Sequence, residues 1–218
     1  MNNNTKISNA IIRRLPRYRR YLNILRKRGV KKVSSNELSE LIGYTASQIR
    51  QDLNTFGGFG QQGYGYSVDH LYKELNKILG LDREYKTVLV GAGNMGSAIT
   101  KYTYYYKIGF NIVALFDNNP ALVGQKVNDV EILPFEDLED FVRDNGIDIG
   151  IITVNQESAQ DVADTLIRGG VKGIWNFAPI DLEIPDHIAI ENVHLSESLH
   201  TLSFLIRSKE LEREEENN

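Results

Sequence analysis

Three glycines and one carboxylate carry the most informative chemistry in this 218-residue chain. Gly91, Gly93 and Gly96 stand at the spacing G-x-G-x-x-G, and Asp117 follows 21 residues after the last of them. Ahead of the glycines, Thr87-Val88-Leu89-Val90 is a short β-branched run; after them the chain reads as helix as far as Lys107. A second apolar run, Asn111 to Phe116, ends at Asp117. Strand, glycine turn, helix, strand and acid in that order form a dinucleotide-binding fingerprint. Gly91 would permit the tight turn, Gly93 would let the backbone approach a pyrophosphate, and Gly96 would let the helix pack on the strand. Ala92, Asn94 and Met95 complete the loop, where N–H groups at the helix start offer donors and a positive dipole to phosphates. Asp117 would accept from ribose hydroxyls and repel a 2′-phosphate, which favours NAD(H) over NADP(H). Its plainer role is a turn residue ahead of Asn118-Asn119-Pro120.

The elements that must hold this loop follow in sequence. Residues 147–154 read as a nearly all-apolar strand of the buried parallel type. Residues 156–168 read as a helix ended by Gly169-Gly170, and residues 171–177 as a further strand leading to Ala178-Pro179. This β/α alternation predicts an α/β fold, a doubly wound Rossmann-type parallel sheet over residues 81–194.

A different chemistry occupies residues 1–80. They hold fourteen Lys or Arg against five acids, a net +9, and the remaining residues carry −13, so the overall −4 conceals a split. Such asymmetry suggests two domains with different partners. Leu15, Tyr18, Leu22 and Leu25 recur at helical spacing, with Pro16 suited to a first turn and Gly29 as a stop. Ser34 to Glu37 and Thr45 to Gln48 both have the capping-box pattern. Between the two helices they open lies a short turn containing Gly43, the helix-turn-helix arrangement. The second helix would bury Ile49, Leu53 and Phe56 and turn Ser47, Gln48, Arg50, Gln51 and Asn54 toward base edges or phosphates. Residues 57–66 contain five glycines, with Gln61, Gln62 and Tyr64 among them, and read as a two-stranded wing. Arg13, Arg14, Arg17, Arg19 and Arg20 crowd one stretch and suit a phosphate-facing surface. Residues 68–80 read as a linking helix.

Composition excludes other chemistries. Without cysteine there is no disulfide, thiolate metal site or Cys nucleophile, and the four histidines show no metal-pair spacing. No apolar run is long enough to span a membrane, and the N-terminus has no signal core, so a cytoplasmic location is expected. Leu195, Leu199, Leu202 and Ile206, spaced 4, 3 and 4, form a coiled-coil-like seam on a terminal helix, and Glu210 to Asn218 read as a solvated acidic tail, the two together making up residues 195–218. That helix either packs on its own domain or is exchanged between two subunits.

A winged helix-turn-helix joined to an NAD-binding domain resembles the Rex family of redox-sensing transcriptional repressors. The resemblance runs over nearly the whole chain. It rests on Arg14-Leu15-Pro16, Val33 to Leu38, Ile49 to Leu53, Phe56-Gly57, Gly63 to Tyr66, Gly91 to Gly96, Phe116-Asp117, Thr153-Val154 and Asn176 to Pro179. It implies a homodimer with exchanged C-terminal helices, and NAD+ and NADH competing for one site as non-catalytic ligands. NADH would release double-stranded operator DNA. Thr153, Val154, Asn176, Phe177 and Ala178 join the cofactor residues on this basis, and Arg20, Tyr102 and His194 match a trio that couples cofactor to DNA domain. His194 stands where an acid is expected, Gln51, Gln61 and Gln62 where Lys or Arg is frequent, and Asn155 where Pro is. Two other readings compete: an NAD-dependent oxidoreductase, disfavoured by the lack of an evident His–acid pair, and a cofactor-binding protein with altered operator recognition.

Overall fold

The computed structural model describes residues 7–61, 64–102 and 104–216. The chain divides into two units, Met1–Arg83 and Glu84–Asn218. In the first, helix α1 (Asn9–Lys27) starts well before Pro16, because the Ser8 hydroxyl accepts from the Ile11 N–H and caps it there. Pro16 therefore lies inside the helix rather than in its first turn, on the exposed side. Strand β1 (Lys32–Val33) precedes α2 (Ser35–Ile42), whose capping box forms in both directions between Ser34 and Glu37. Gly43 ends α2 in the left-handed conformation. Helix α3 (Ala46–Phe56) is capped from one side only, the Thr45 hydroxyl accepting from the Gln48 N–H.

Strands β2 (Gly60–Gln61) and β3 (Gly65–Ser67) pair antiparallel as a wing, and β1 extends it into a three-stranded sheet of order β1-β3-β2. Helix α4 (Val68–Ile78) is not a linker. Val68, Leu71 and Leu75 are buried in the same core as Leu15, Leu22 and Leu38.

The second unit is built on a seven-stranded sheet. Strand β4 (Tyr85–Val90) leads into α5 (Asn94–Lys101) and the single turn α6 (Tyr104–Lys107), so the helix expected to reach Lys107 breaks at Tyr102, where ψ is 84°. Then come β5 (Phe110–Asp117), β6 (Lys126–Val127), β7 (Val130–Pro134), a 3-10 turn Phe135–Asp137 and α7 (Leu138–Asn145). Strand β8 (Ile149–Ile152), α8 (Gln156–Gly169), β9 (Gly173–Asn176), β10 (Ala189–Asn192) and α9 (Leu195–Glu216) complete it. The strand order is β10-β9-β8-β4-β5-β7-β6, with only β6 antiparallel to its neighbour. From β4 the chain winds outward through β5 to β7, then returns to β8 on the other side. The switch point therefore falls between β4 and β8, where a crevice opens beyond the strand ends.

Candidate functional site

The three glycines meet different constraints. A Cβ on Gly96 would stand 2.0 Å from the Gly91 carbonyl oxygen and 2.8 Å from Leu89 Cδ2, so only glycine lets α5 close on β4. A Cβ on Gly91, whose φ is +100°, would stand 2.8 Å from the Thr153 carbonyl. A Cβ on Gly93 would meet nothing within 4 Å, so there the backbone borders open space.

Thr153 fixes the switch point. Its N–H donates to the Val90 carbonyl at 2.9 Å, and its hydroxyl lies 3.0 and 2.8 Å from the Val90 and Gly91 carbonyl oxygens, to which it donates. Asp117 is both loop anchor and turn residue: Oδ2 accepts from the Ala92 N–H at 2.7 Å and Oδ1 from the Asn119 N–H at 2.8 Å. A carboxylate has further lone pairs, so both oxygens can still accept from a ligand.

Beyond the glycine turn lies a cleft of about 430 Å³. Gly91, Gly93, Asp117, Asn118, Thr153, Val154 and Asn155 line it, together with Phe135, Ser158, Asp161 and Val162, which sequence reasoning did not single out. Asn155 caps α8 by accepting from the Ser158 N–H, so Ser158, Asp161 and Val162 follow on one helix face. The glycine cradle, the open backbone at Gly93 and the carboxylate at the tip of β5 fit a dinucleotide.

The other expected cofactor residues are not among those that line this cleft. Ala92 is buried, Asn94 is exposed and Met95 is 38% exposed at the start of α5. Asn176 is fully buried: its amide donates to the Ile180 carbonyl and to Asn192 Oδ1, and its own Oδ1 accepts from the Ala178 N–H. Ala178 is buried with it. Phe177 packs at 4.6 Å on Trp175, which meets Tyr105 edge-on at 5.5 Å, and Tyr105 meets Tyr102 at 5.1 Å. A run of aromatic rings thus joins Phe177 to Tyr102. His194 Nε2 lies 3.2 Å from Asp181 Oδ1, a neighbour that no local pattern points to. Arg20 is exposed, its guanidinium over the Tyr21 ring.

In the first unit, Ile49 and Leu53 are buried, Phe56 is half-buried, and Ser47, Arg50, Gln51 and Asn54 share the exposed side of α3, with Gln48 half-buried beside them. Arg50 donates to the Ser35 hydroxyl at 2.8 Å. Gln61 ends strand β2, and Gln62 lies outside the described residues. Tyr64 is 69% exposed with the Lys32 ammonium over its ring. The cluster of arginines divides. Arg13, Arg17 and Arg20 face solvent, but Arg19 donates to Asn76, and Arg14 turns inward. The Arg14 guanidinium grips Asp52 through Nε at 2.6 Å and Nη2 at 2.8 Å, and the Tyr18 hydroxyl donates to the same carboxylate at 2.5 Å. This bond to Asp52 raises the Arg14 pKa further, and burial, with the same partner, raises that of Tyr18. Asp52 is a buried acid on α3, so the three side chains fasten α3 to α1.

A helix-turn-helix with a wing, and a Rossmann-type unit with a glycine cradle, together define a two-domain transcription regulator. Residues 6–54 match the family described as putative DNA-binding protein N-terminus, and residues 82–180 the CoA binding domain family. The redox-sensing transcriptional repressor Rex of Thermoanaerobacter pseudethanolicus is 58% identical over 97% of this chain and 94% of its own. The Clostridium beijerinckii repressor of the same name is 57% identical over 96% of this chain and all of its own. A crystal structure of the repressor RSP in complex with β-NAD+ and operator DNA superposes with a TM-score of 0.90 at 56% identity, over 98% of this chain and 99% of that one. The chain belongs to the Rex family of redox-sensing transcriptional repressors.

Proposed function

We propose that this chain is an NAD(H)-responsive repressor that holds operator DNA as a homodimer and releases it when the NADH/NAD+ ratio rises. The observation that carries this reading is the division of labour among Gly91, Gly93 and Gly96 beside Asp117, in one chain with a capped helix-turn-helix. It is supported by the 56% identity to RSP, which has been crystallised with β-NAD+ and operator DNA. The N–H groups at the start of α5 would face the pyrophosphate, and Asp117 the adenosine ribose. Ser47, Gln48, Arg50, Gln51 and Asn54 would meet the major groove, with Arg13, Arg17 and the wing on phosphates.

The cofactor serves as a ligand, not a reagent. If NADH favours a dimer arrangement unable to span the operator, linkage requires that NADH and DNA weaken each other's binding by the same factor. The dimer would be held through α9, where Leu195, Leu199, Leu202 and Ile206 are between 51 and 66% exposed, and Phe204 is 70% exposed. Exposed on a lone chain, the apolar stretch from Leu195 to Ile206 calls for a cover, which a partner subunit would supply. The test is a DNA-binding titration on a palindromic operator, with NAD+ and then NADH at fixed salt. Affinity should fall with NADH, and an unchanged affinity overturns the sensor reading.

A further inference from the structure

The cleft is larger than the glycine turn and Asp117 require, and its remaining wall has a chemistry of its own. The acid about 20 residues past the glycines takes the ribose whose 2′ carbon bears the phosphate of NADP, namely the adenosine ribose. The base on that ribose must then lie in the remainder of the same cleft. The apolar lining left for it is Phe135 from the turn after β7, Val154 from the loop after β8, and Val162 from α8. An aromatic ring and two branched aliphatic side chains suit the faces of a flat purine.

One lining residue does not belong to an apolar slot. Asp161 shares the face of α8 with Ser158 and Val162, and its carboxylate has no hydrogen-bond or ion-pair partner among the described residues. Its neighbours differ. Asp164 accepts from Gln160, and Glu139 pairs with Arg168 on the same helix. An ionised carboxylate accepts hydrogen bonds and donates none. At the edge of a purine slot it rewards a base that offers an exocyclic N–H there over one that offers none.

We propose that Asp161 selects the base of the dinucleotide, accepting from the exocyclic 6-amino group of adenine and disfavouring purines that lack it. This rests on the cofactor reading above and adds a specificity residue outside the glycine fingerprint. The test is calorimetric titration of the full chain with NADH and with its purine analogue, in which hydrogen replaces the 6-amino group. The wild-type chain should bind NADH about tenfold more tightly than the analogue, the worth of one charge-assisted hydrogen bond at a solvent-reached edge. In Asp161→Asn the ratio should fall to about one, because an amide can turn either its oxygen or its N–H toward the base. Asp161→Ser should lose the preference as well, and since residue 161 is exposed on α8, thermal melting should find both variants folded. Equal binding of the two ligands by the wild-type chain, or an undiminished ratio in both variants, overturns the assignment while leaving the cofactor reading intact. Failure of the folded wild-type chain to bind either ligand overturns the cofactor reading, and the assignment with it.

Discussion

Alanine at Gly93 and alanine at Gly96 should have opposite consequences, although the two glycines lie three residues apart in one motif. A methyl on Gly96 would lie 2.0 Å from a backbone oxygen that ordinary contact keeps at 3.4 Å or more, with Leu89 Cδ2 closing the other side. Alanine returns about 1 kcal/mol of helix propensity, but displacing α5 by more than an ångström costs about 3 kcal/mol on the scale of overpacked cores. The net loss of about 2 kcal/mol should lower Tm by about 5 °C for a unit of this size. At Gly93 the backbone has φ −62° and ψ −163°, open to any residue, and a methyl there meets no protein atom. Gly93→Ala should therefore melt within about 1 °C of wild type, consistent with the small effects of unstrained surface changes. Its methyl would nevertheless occupy the approach of the pyrophosphate. Displacing one charge-assisted hydrogen bond should weaken NADH about 10- to 100-fold. Melting by circular dichroism and binding by calorimetry separate the two effects. Wild-type NADH affinity in Gly93→Ala would refute the placement of the phosphates, and equal destabilisation by both substitutions would refute the steric reasoning.

Asp52→Asn removes the buried carboxylate charge that the half-buried Arg14 guanidinium grips and should cost about 2 kcal/mol in urea unfolding, with loss of DNA binding as α3 loosens from α1. Tyr18, whose titration burial pushes above its ordinary value of 10.0, favours the folded chain fully below pH 10 and progressively less above it, as the unfolded chain yields its proton first. Wild type should accordingly lose more urea stability than Tyr18→Phe between about pH 9 and 11, and parallel curves would exclude the phenol. Gln51→Lys should tighten operator binding and steepen the slope of log K against log salt by about one; an unchanged slope puts residue 51 off the phosphates. His194→Asp should enlarge the NADH-dependent loss of operator affinity, and an unaltered response would detach residue 194 from the switch.

The glycine turn and the helix-turn-helix were legible because both are written in local signals. Gly91, Gly93 and Gly96 act through their own backbone, and Ser34, Glu37, Thr45 and Gly43 act within one helical turn. The start of α1 is not where Pro16 suggests, because Ser8 holds the actual cap. Strands β6 and β7 carry a weaker local signal, because the turn between them uses Asn128 and Asp129 at φ 51° and 67°, an Asn-Asp pair in place of the usual Asn-Gly. The far wall of the cleft was invisible for a different reason. Phe135 lies on the turn after β7 and Ser158 and Asp161 lie on α8, and only sheet order brings the two together. Asp52 and Asp181 likewise acquire meaning through partners 38 and 13 positions away.

The buried amide of Asn176 has a mechanical consequence. It ties the Phe177-Ala178 loop to Asn192, the last residue of β10, and its carbonyl accepts from the Val193 N–H at 2.8 Å. Two residues later α9 begins and runs for 22 residues, about 33 Å. The hub is therefore the short arm of a lever and α9 the long one. A one-degree tilt at the root moves the far end by about half an ångström, and ten degrees by more than a full helical turn's rise. Any ligand that shifts the Phe177 loop by a fraction of an ångström is geared up at the tip of α9.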